Sequence, residues 1–187
     1  MLCAEAIRPL LATNTLHIVA AQIQDAINIP LIHVVDVVAD AAKADDAQTL
    51  GLLGTLPVMR AEFYRDRFAQ HGVDLLVPPE PDQELVHRVI FQELTHGVID
   101  DASRVRYLRI MNDLIKRGAK GVVLGCTEIS LLVGAEDLPG HTLYDTTALH
   151  VDRAVRLYLG LESLPPPTPG PLLDPTSPPS LQRLSDG

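Results

Sequence analysis

The feature that most constrains this chain is a regular alternation of short aliphatic segments with longer amphipathic ones. The segment 121–124 reads Gly-Val-Val-Leu and 49–55 reads Thr-Leu-Gly-Leu-Leu-Gly-Thr, and both are typical of buried strands. Between them, the segments 82–96 and 101–117 place their apolar residues at helical spacing. Because strands that alternate with helices are joined by crossovers, the pattern predicts an α/β fold with parallel sheets flanked by helices.

The same spacing predicts the bounds of each element. Strands are predicted at 8–11, 29–34, 49–55, 73–77, 121–124 and 142–144. Helices are predicted at 16–27, 36–44, 57–70, 82–96, 101–117 and from about 147 to 159, with a further short helix beginning at Cys126. From residue 164 onward the chain is rich in proline, which cannot donate a backbone hydrogen bond, and 164–187 is predicted to be a disordered tail.

Small polar residues recur where predicted strands end and helices begin. They form four groups: Thr13-Asn14-Thr15, Gly54-Thr55, Cys126-Thr127-Glu128 and Asp145-Thr146-Thr147. In open parallel sheets, ligands bind beyond the carboxyl ends of the strands, and free N–H groups at helix starts bind carboxylates. The groups therefore predict a site for a small anion, although each one taken singly is also a common helix cap.

Cys126 is the most informative single residue, because it follows a buried strand directly. At the start of a helix, the thiolate would be favoured and the pKa of the thiol lowered. The alternative is a buried cysteine that acts as a small apolar side chain. Cys3 has no comparable setting and is interpreted as structural or incidental.

Charge and composition exclude several other classes of protein. The formal charge of −9, without a basic cluster, argues against nucleic acid or an anionic membrane as partner. Two cysteines and seven histidines show no metal-ligand spacing, so no metal site is predicted. The absence of a disulfide framework, a membrane-spanning run and a signal-like start favours a cytoplasmic location.

Several motifs together resemble the cofactor-independent aspartate/glutamate (Asp/Glu/hydantoin) racemase family, in its aspartate branch. The resemblance covers about residues 5 to 160. It rests on Ala12-Thr13-Asn14-Thr15-Leu16-His17, Gly51-Leu52-Leu53-Gly54-Thr55, Phe63-Tyr64, Ile90-Phe91-Gln92-Glu93-Leu94, Gly125-Cys126-Thr127-Glu128-Ile129 and Asp145-Thr146-Thr147-Ala148-Leu149-His150. It implies two similar α/β lobes, a homodimer, and proton transfer at an α-carbon without pyridoxal phosphate or metal.

The resemblance also implies roles for individual residues. Cys126 and Thr13 would exchange protons with opposite faces of the substrate α-carbon. Asn14, Thr15, Thr55, Thr127 and Glu128 match positions that bind the substrate, while His17 and His150 would support them from behind. Many members carry cysteine at the position of Thr13. Because a hydroxyl is a far weaker acid than a thiol, we expect a one-sided enzyme that favours L-substrates.

Glu128 fits the aspartate branch, since glutamate racemases usually carry histidine there. The expected substrate is therefore aspartate, glutamate or a similar acidic amino acid. Two alternatives remain: a related hydantoin racemase or maleate isomerase, and a non-catalytic remnant that binds an acidic ligand or a partner subunit.

The domain organisation follows from the same resemblance. Family members open with a glycine-rich strand and a further strand–helix unit, and this chain begins almost at the first motif. We therefore expect an N-terminally truncated, incomplete first lobe formed by 1–46 and 134–163, and a second lobe formed by 47–133.

Overall fold

A four-stranded parallel sheet forms the centre of the protein, as seen in a computed structural model that describes residues 9–163. The strands are β1 (Thr49–Gly54), β2 (Asp74–Leu76), β3 (Gly121–Gly125) and β4 (Thr142–Asp145), in the spatial order β2-β1-β3-β4. All three pairings are parallel, which confirms the predicted α/β class. The predicted tail and Cys3 lie outside the described residues.

Helices cover both faces of this sheet. They are α1 (Ala20–Ala26), α2 (Val34–Ala44), α3 (Leu56–Arg60), α4 (Glu62–Gln70), α5 (Glu80–Gln92), α6 (Asp101–Lys116) and α7 (Thr146–Tyr158). Helix α2 packs against α4 and α7, and α5 packs against α6. The chain leaves β1 in one direction to reach β2 and returns past β1 to reach β3. Right-handed crossovers in opposite directions place their helices on opposite faces.

The order in which strands are added to the sheet changes direction between β1 and β3. Strand β2 lies on one side of β1, whereas β3 and β4 lie on the other. In open parallel sheets such a switch point leaves a crevice beyond the carboxyl ends of the two strands. The topology therefore favours a site where β1 and β3 end.

Several predicted bounds are wrong in detail. The expected strands at 8–11 and 29–34 reduce to a single parallel bridge between Leu10 and Ile32. The expected helix 16–27 begins as a 3₁₀ turn over Thr15–Val19 before α1. The expected helix 57–70 is interrupted at Ala61, whose φ of −75° and ψ of 141° are extended. Sequence periodicity does not detect one extended residue between two helical segments.

Two further helices also differ from the prediction. The expected helix 82–96 ends at Gln92 and is followed by a 3₁₀ turn over Leu94–His96. No helix begins at Cys126, because the next helical turn is a 3₁₀ turn over Ile129–Leu131. The division into two lobes remains a prediction; β4, from the segment assigned to the first lobe, pairs with β3 of the central sheet.

A pair of glycines lets β1 and β3 approach closely at their carboxyl ends. Gly54 pairs in register with Gly125. A Cβ on Gly54 would lie 2.9 Å from the Gly125 carbonyl oxygen, and one on Gly125 would lie 2.9 Å from the Leu53 carbonyl oxygen. Since backbone atoms cannot rotate out of the way, a side chain here would push the strands apart.

We predict that Gly125→Ala lowers the free energy of unfolding by about 1–3 kcal/mol, the usual cost of overpacking a core. A glycine-to-alanine change without steric conflict would instead stabilise the protein slightly by restricting the unfolded chain. Chemical denaturation measures the sign. Ser130→Ala, at an exposed position of the neighbouring turn, is the control, and a stabilised Gly125→Ala protein would contradict the steric argument.

Candidate functional site

The ends of β1 and β3 bring two of the predicted site residues side by side. Thr55 follows β1 and Cys126 follows β3, and the last residues of the two strands are paired. Thr55 is buried and Cys126 is half-buried. The crevice expected from the topology is therefore lined by a hydroxyl and a thiol.

The Thr13-Asn14-Thr15 segment lies over this edge of the sheet. The Thr15 hydroxyl is hydrogen-bonded to the Thr55 hydroxyl, with the two oxygens 3.1 Å apart. This contact joins residues that are distant in sequence and links the segment to the end of β1. The first predicted motif and the end of β1 thus meet, as the prediction of a shared site requires.

Asn14 attaches the same segment to two further parts of the fold. Its Nδ2 donates to the Thr146 hydroxyl at 2.9 Å, and its Oδ1 accepts from the Tyr64 hydroxyl at 2.7 Å. Thr146, the first residue of α7, donates in turn to the Leu124 carbonyl oxygen in β3 at 2.8 Å. Only 5% of Asn14 is exposed. Its side chain is therefore an internal junction as well as part of the site.

One cavity of about 180 Å³ lies between these elements. Its volume is below the roughly 300–1,000 Å³ of sites for drug-sized ligands, which suits a small metabolite. All seven residues predicted to be catalytic or substrate-binding line it: Thr13, Asn14, Thr15, Thr55, Cys126, Thr127 and Glu128. Their shared position is a structural fact, and their roles remain predictions.

The Cys126 thiol donates a hydrogen bond to Glu128, with Sγ 2.9 Å from Oε2. Burial, followed by this hydrogen bond to a carboxylate, raises the pKa of Cys126 to about 12. The lowered thiol pKa expected from a helix start is therefore wrong. No helix begins at Cys126 to supply a dipole, and the adjacent carboxylate favours the neutral thiol.

Two predicted supporting histidines lie behind the Thr13 segment. The Nδ1 of His17 lies 2.6 Å from the Thr13 carbonyl oxygen, and its Nε2 accepts from the Val34 amide at 3.2 Å. These two partners fix the neutral tautomer with the proton on Nδ1. His150 reaches the Ile32 carbonyl oxygen through Nε2 at 2.7 Å and lines a smaller cavity of about 50 Å³.

Some residues of the site were not predicted from sequence. Ile90, Phe91 and Thr95 also line the main cavity, and they come from α5 and the turn that follows it. Phe91 is 50% exposed although it is apolar. An apolar residue on the exposed side of a helix is a weak indication of a binding site. Tyr64 touches Asn14 without lining the cavity, and no sequence pattern marks its hydroxyl.

The described residues also bear on other classes of site. Across 9–163, no group of three or more His, Cys, Asp or Glu side chains is arranged to hold a metal ion. Over the same range, no helix combines the length and the hydropathy needed to cross a membrane. None of the described residues that line the main cavity is a lysine or arginine.

The model of the Asp/Glu/Hydantoin racemase family matches residues 3–154 of this chain. The chain belongs to the Asp/Glu/hydantoin racemase family. A solved structure from Yersinia pestis, described as a candidate Asp/Glu racemase, is 39% identical with a TM-score of 0.78. An aspartate racemase homologue from Pyrococcus horikoshii is 29% identical with a TM-score of 0.74.

The extent of these matches differs between relatives. The chain has 81% of its length covered by each of the two structures and spans 66% of each of theirs. A protein of unassigned function from Pectobacterium carotovorum is 28% identical over 131 residues, which are 68% of this chain and 85% of that one. Glutamate racemase from Francisella tularensis, at 17% identity and a TM-score of 0.60, supports the fold alone.

Removal of the negative charge of Glu128 should change the pKa of the neighbouring Cys126 thiol by a measurable amount. We predict that Glu128→Gln lowers the pKa of Cys126, because the carboxylate that opposes thiolate formation is gone. The pH dependence of Cys126 alkylation by iodoacetamide, read by peptide mass spectrometry, reports this pKa. Glu136→Gln, whose exposed carboxylate lies 3.8 Å from Arg104, is the control. An unchanged pH profile in Glu128→Gln would show that Glu128 does not raise the pKa of Cys126.

The buried histidines predict how stability depends on pH. Burial lowers the pKa of His17 to about 4 and that of His33 to about 3, and it also lowers that of His150. Below pH ~6.5 these histidines bind protons in the unfolded chain but stay neutral in the folded chain. The free energy of unfolding should therefore fall as pH drops from ~6.5 towards 4, by about 1.4 kcal/mol per pH unit for each of His17 and His33.

Denaturant titrations at successive pH values measure this slope. His17→Asn should reduce the slope by about the contribution of one histidine. Replacement of the exposed His96 by asparagine controls for the loss of a titratable side chain. A free energy of unfolding that stays constant between pH 7 and 5 would be inconsistent with buried neutral histidines.

Proposed function

We propose that this chain is a cofactor-independent racemase of acidic amino acids, acting on aspartate, glutamate or both. The observation that carries the proposal is the single cavity onto which both Cys126 and Thr13 open, at the switch point of the sheet. Inversion at an α-carbon requires one proton-transfer group on each side of a planar carbanion-like state. The thiol of Cys126, directly after β3, and the hydroxyl of Thr13, in the overlying segment, would supply one group from each side.

The thiol works as a base only after it loses its own proton. Glu128, which already accepts the Cys126 hydrogen bond, is the nearest carboxylate that can take it. The ammonium group of a bound amino acid would favour this transfer, because a nearby positive charge stabilises a thiolate. The thiolate then removes the α-proton, and the Thr13 hydroxyl donates a proton to the opposite face and is reprotonated by solvent.

Charge developing on the substrate carboxylate needs hydrogen-bond donors that are already in place. The hydroxyls of Thr15, Thr55 and Thr127 and the remaining amide hydrogen of Asn14 are the donors available in the cavity. They are neutral, so they do not compete with Glu128 for the substrate ammonium. This division of roles supports an amino-acid zwitterion as the ligand.

The two sides of the site are not chemically equivalent. A threonine hydroxyl is a weaker acid and base than a thiol, so exchange should be faster for the enantiomer whose α-proton faces Cys126. By the resemblance that motivated the proposal, this is the L-enantiomer. The equilibrium constant of racemisation is one, so kcat/KM must be the same in both directions. The asymmetry therefore shows in the rate of α-proton exchange and in kcat.

We predict that the protein exchanges the α-proton of L-aspartate or L-glutamate for deuterium in D₂O. Cys126→Ala should abolish exchange, because no base remains on that face. Thr13→Ala should retain exchange from the L-enantiomer but form no D-enantiomer, because the thiol can return a deuteron only to its own face. Proton NMR follows exchange, and chiral chromatography follows inversion.

Thr142→Ala, at the exposed opposite end of the sheet, is the matched control and should behave as the parent. Exchange in Cys126→Ala equal to that in the parent would refute the role of the thiol. Equal exchange rates from L- and D-substrates would refute the one-sided mechanism. Turnover of a 5-substituted hydantoin without turnover of either amino acid would assign the site to another substrate class of the family.

A further inference from the structure

Tyr64 is a buried polar group that the proposed mechanism does not use. It lies in α4, is fully buried, and contacts Phe63 and Phe68 with its ring. Its hydroxyl donates to Asn14 Oδ1 at 2.7 Å, but the residue does not line the cavity. A phenylalanine would fill the same apolar space, so the hydroxyl needs a separate explanation.

The directions of the hydrogen bonds around Asn14 are fixed from one end. The Leu124 carbonyl oxygen can only accept, so the Thr146 hydroxyl must donate its hydrogen to it. The Thr146 oxygen is then free only to accept, which turns the Asn14 amide nitrogen towards it. Asn14 Oδ1 consequently faces Tyr64, whose hydroxyl must donate. Each group has a single role, so the orientation of the Asn14 side chain is unique.

This series of bonds crosses the site from one proton-transfer residue to the other. Asn14 follows Thr13 directly in the chain, and Leu124 stands two residues before Cys126. Tyr64 and Thr146 therefore connect α4, the Thr13 segment, the start of α7 and the end of β3. Loss of one donor would leave a buried acceptor unpaired, which is costlier than loss of an exposed bond.

We propose that Tyr64 and Thr146 are positioning residues, which act through Asn14 to hold Thr13 and Cys126 on facing sides of the cavity. The structural part of this inference stands on the hydrogen bonds alone. Its catalytic part rests on the proposed function. The two parts are tested by different measurements.

Hydrogen–deuterium exchange of backbone amides tests the structural part without any substrate. Tyr64→Phe should increase exchange several-fold in peptides that cover 13–17 and 124–128, because both segments lose a shared attachment. Tyr144→Phe is the matched control. Tyr144 is 2% exposed and its hydroxyl donates to Asp45 at 2.9 Å, beside α2 and away from the cavity. Its loss should leave both peptides unchanged.

Steady-state kinetics tests the catalytic part. Tyr64→Phe should lower kcat by about tenfold to a hundredfold, the range expected when reacting groups are misplaced. Its KM should change less than kcat, because Tyr64 does not itself line the cavity and acts only through Asn14. Thr146→Val, which cannot donate to Leu124, should show the same loss, and Thr146→Ser, which keeps the hydroxyl, should restore most of kcat.

The outcomes separate the two proposals. Unchanged exchange at both segments in Tyr64→Phe, or an equal increase in Tyr144→Phe, would overturn the positioning role. Increased backbone-amide exchange in Tyr64→Phe, together with no exchange of the substrate α-proton by the parent protein, would overturn the proposed function and leave the hydrogen-bonded connection intact. If Tyr64→Phe does not fold, equal kcat values for Thr146→Val and Thr146→Ser would overturn the positioning role.

Discussion

The hydrogen bond from Asn14 to Thr146 is the contact on which the geometry of the site depends. It ties the Thr13-Asn14-Thr15 segment, which belongs to no strand of the sheet, to the start of α7, and through Thr146 to β3. Without it, the Thr13 segment would be attached near the cavity through Tyr64 and the partly buried hydrogen bond between Thr15 and Thr55. Because these bonds are buried and directional, they fix where the Thr13 side of the cavity lies.

The electrostatics of the cavity follow from its composition. Hydroxyls and an amide surround one carboxylate, and the described lining residues include neither lysine nor arginine. Burial and the hydrogen bond to Glu128 raise the pKa of Cys126 and favour the neutral thiol. Under the proposed mechanism, proton transfer would therefore begin only when the ammonium group of the substrate lies beside the thiol. The histidines behind the Thr13 segment are held neutral by burial and do not change this balance.

Aliphatic strands and polar residues at their ends could be recognised from sequence, because both follow simple periodicities. This accounts for β1, β3 and the positions of Thr55 and Cys126 beside each other. The pKa of Cys126 could not be predicted, since it depends on burial and on the side-chain rotamer of Glu128. The hydrogen bond from Tyr64 to Asn14 could not be predicted from the sequence either, because the two residues are fifty positions apart in the chain. The interruption at Ala61 has no evident cause in the sequence or in the structure.

A crystal structure of the protein with bound L-aspartate would show whether Cys126 and Thr13 face the same α-carbon. We expect the α-carbon of the ligand to lie between Cys126 Sγ and Thr13 Oγ1, with the ammonium group towards Glu128. The carboxylate nearest the α-carbon should meet the hydroxyls of Thr15, Thr55 or Thr127. A ligand whose α-carbon is flanked by only one of the two residues, or that binds outside this cavity, would rule out proton transfer between Cys126 and Thr13.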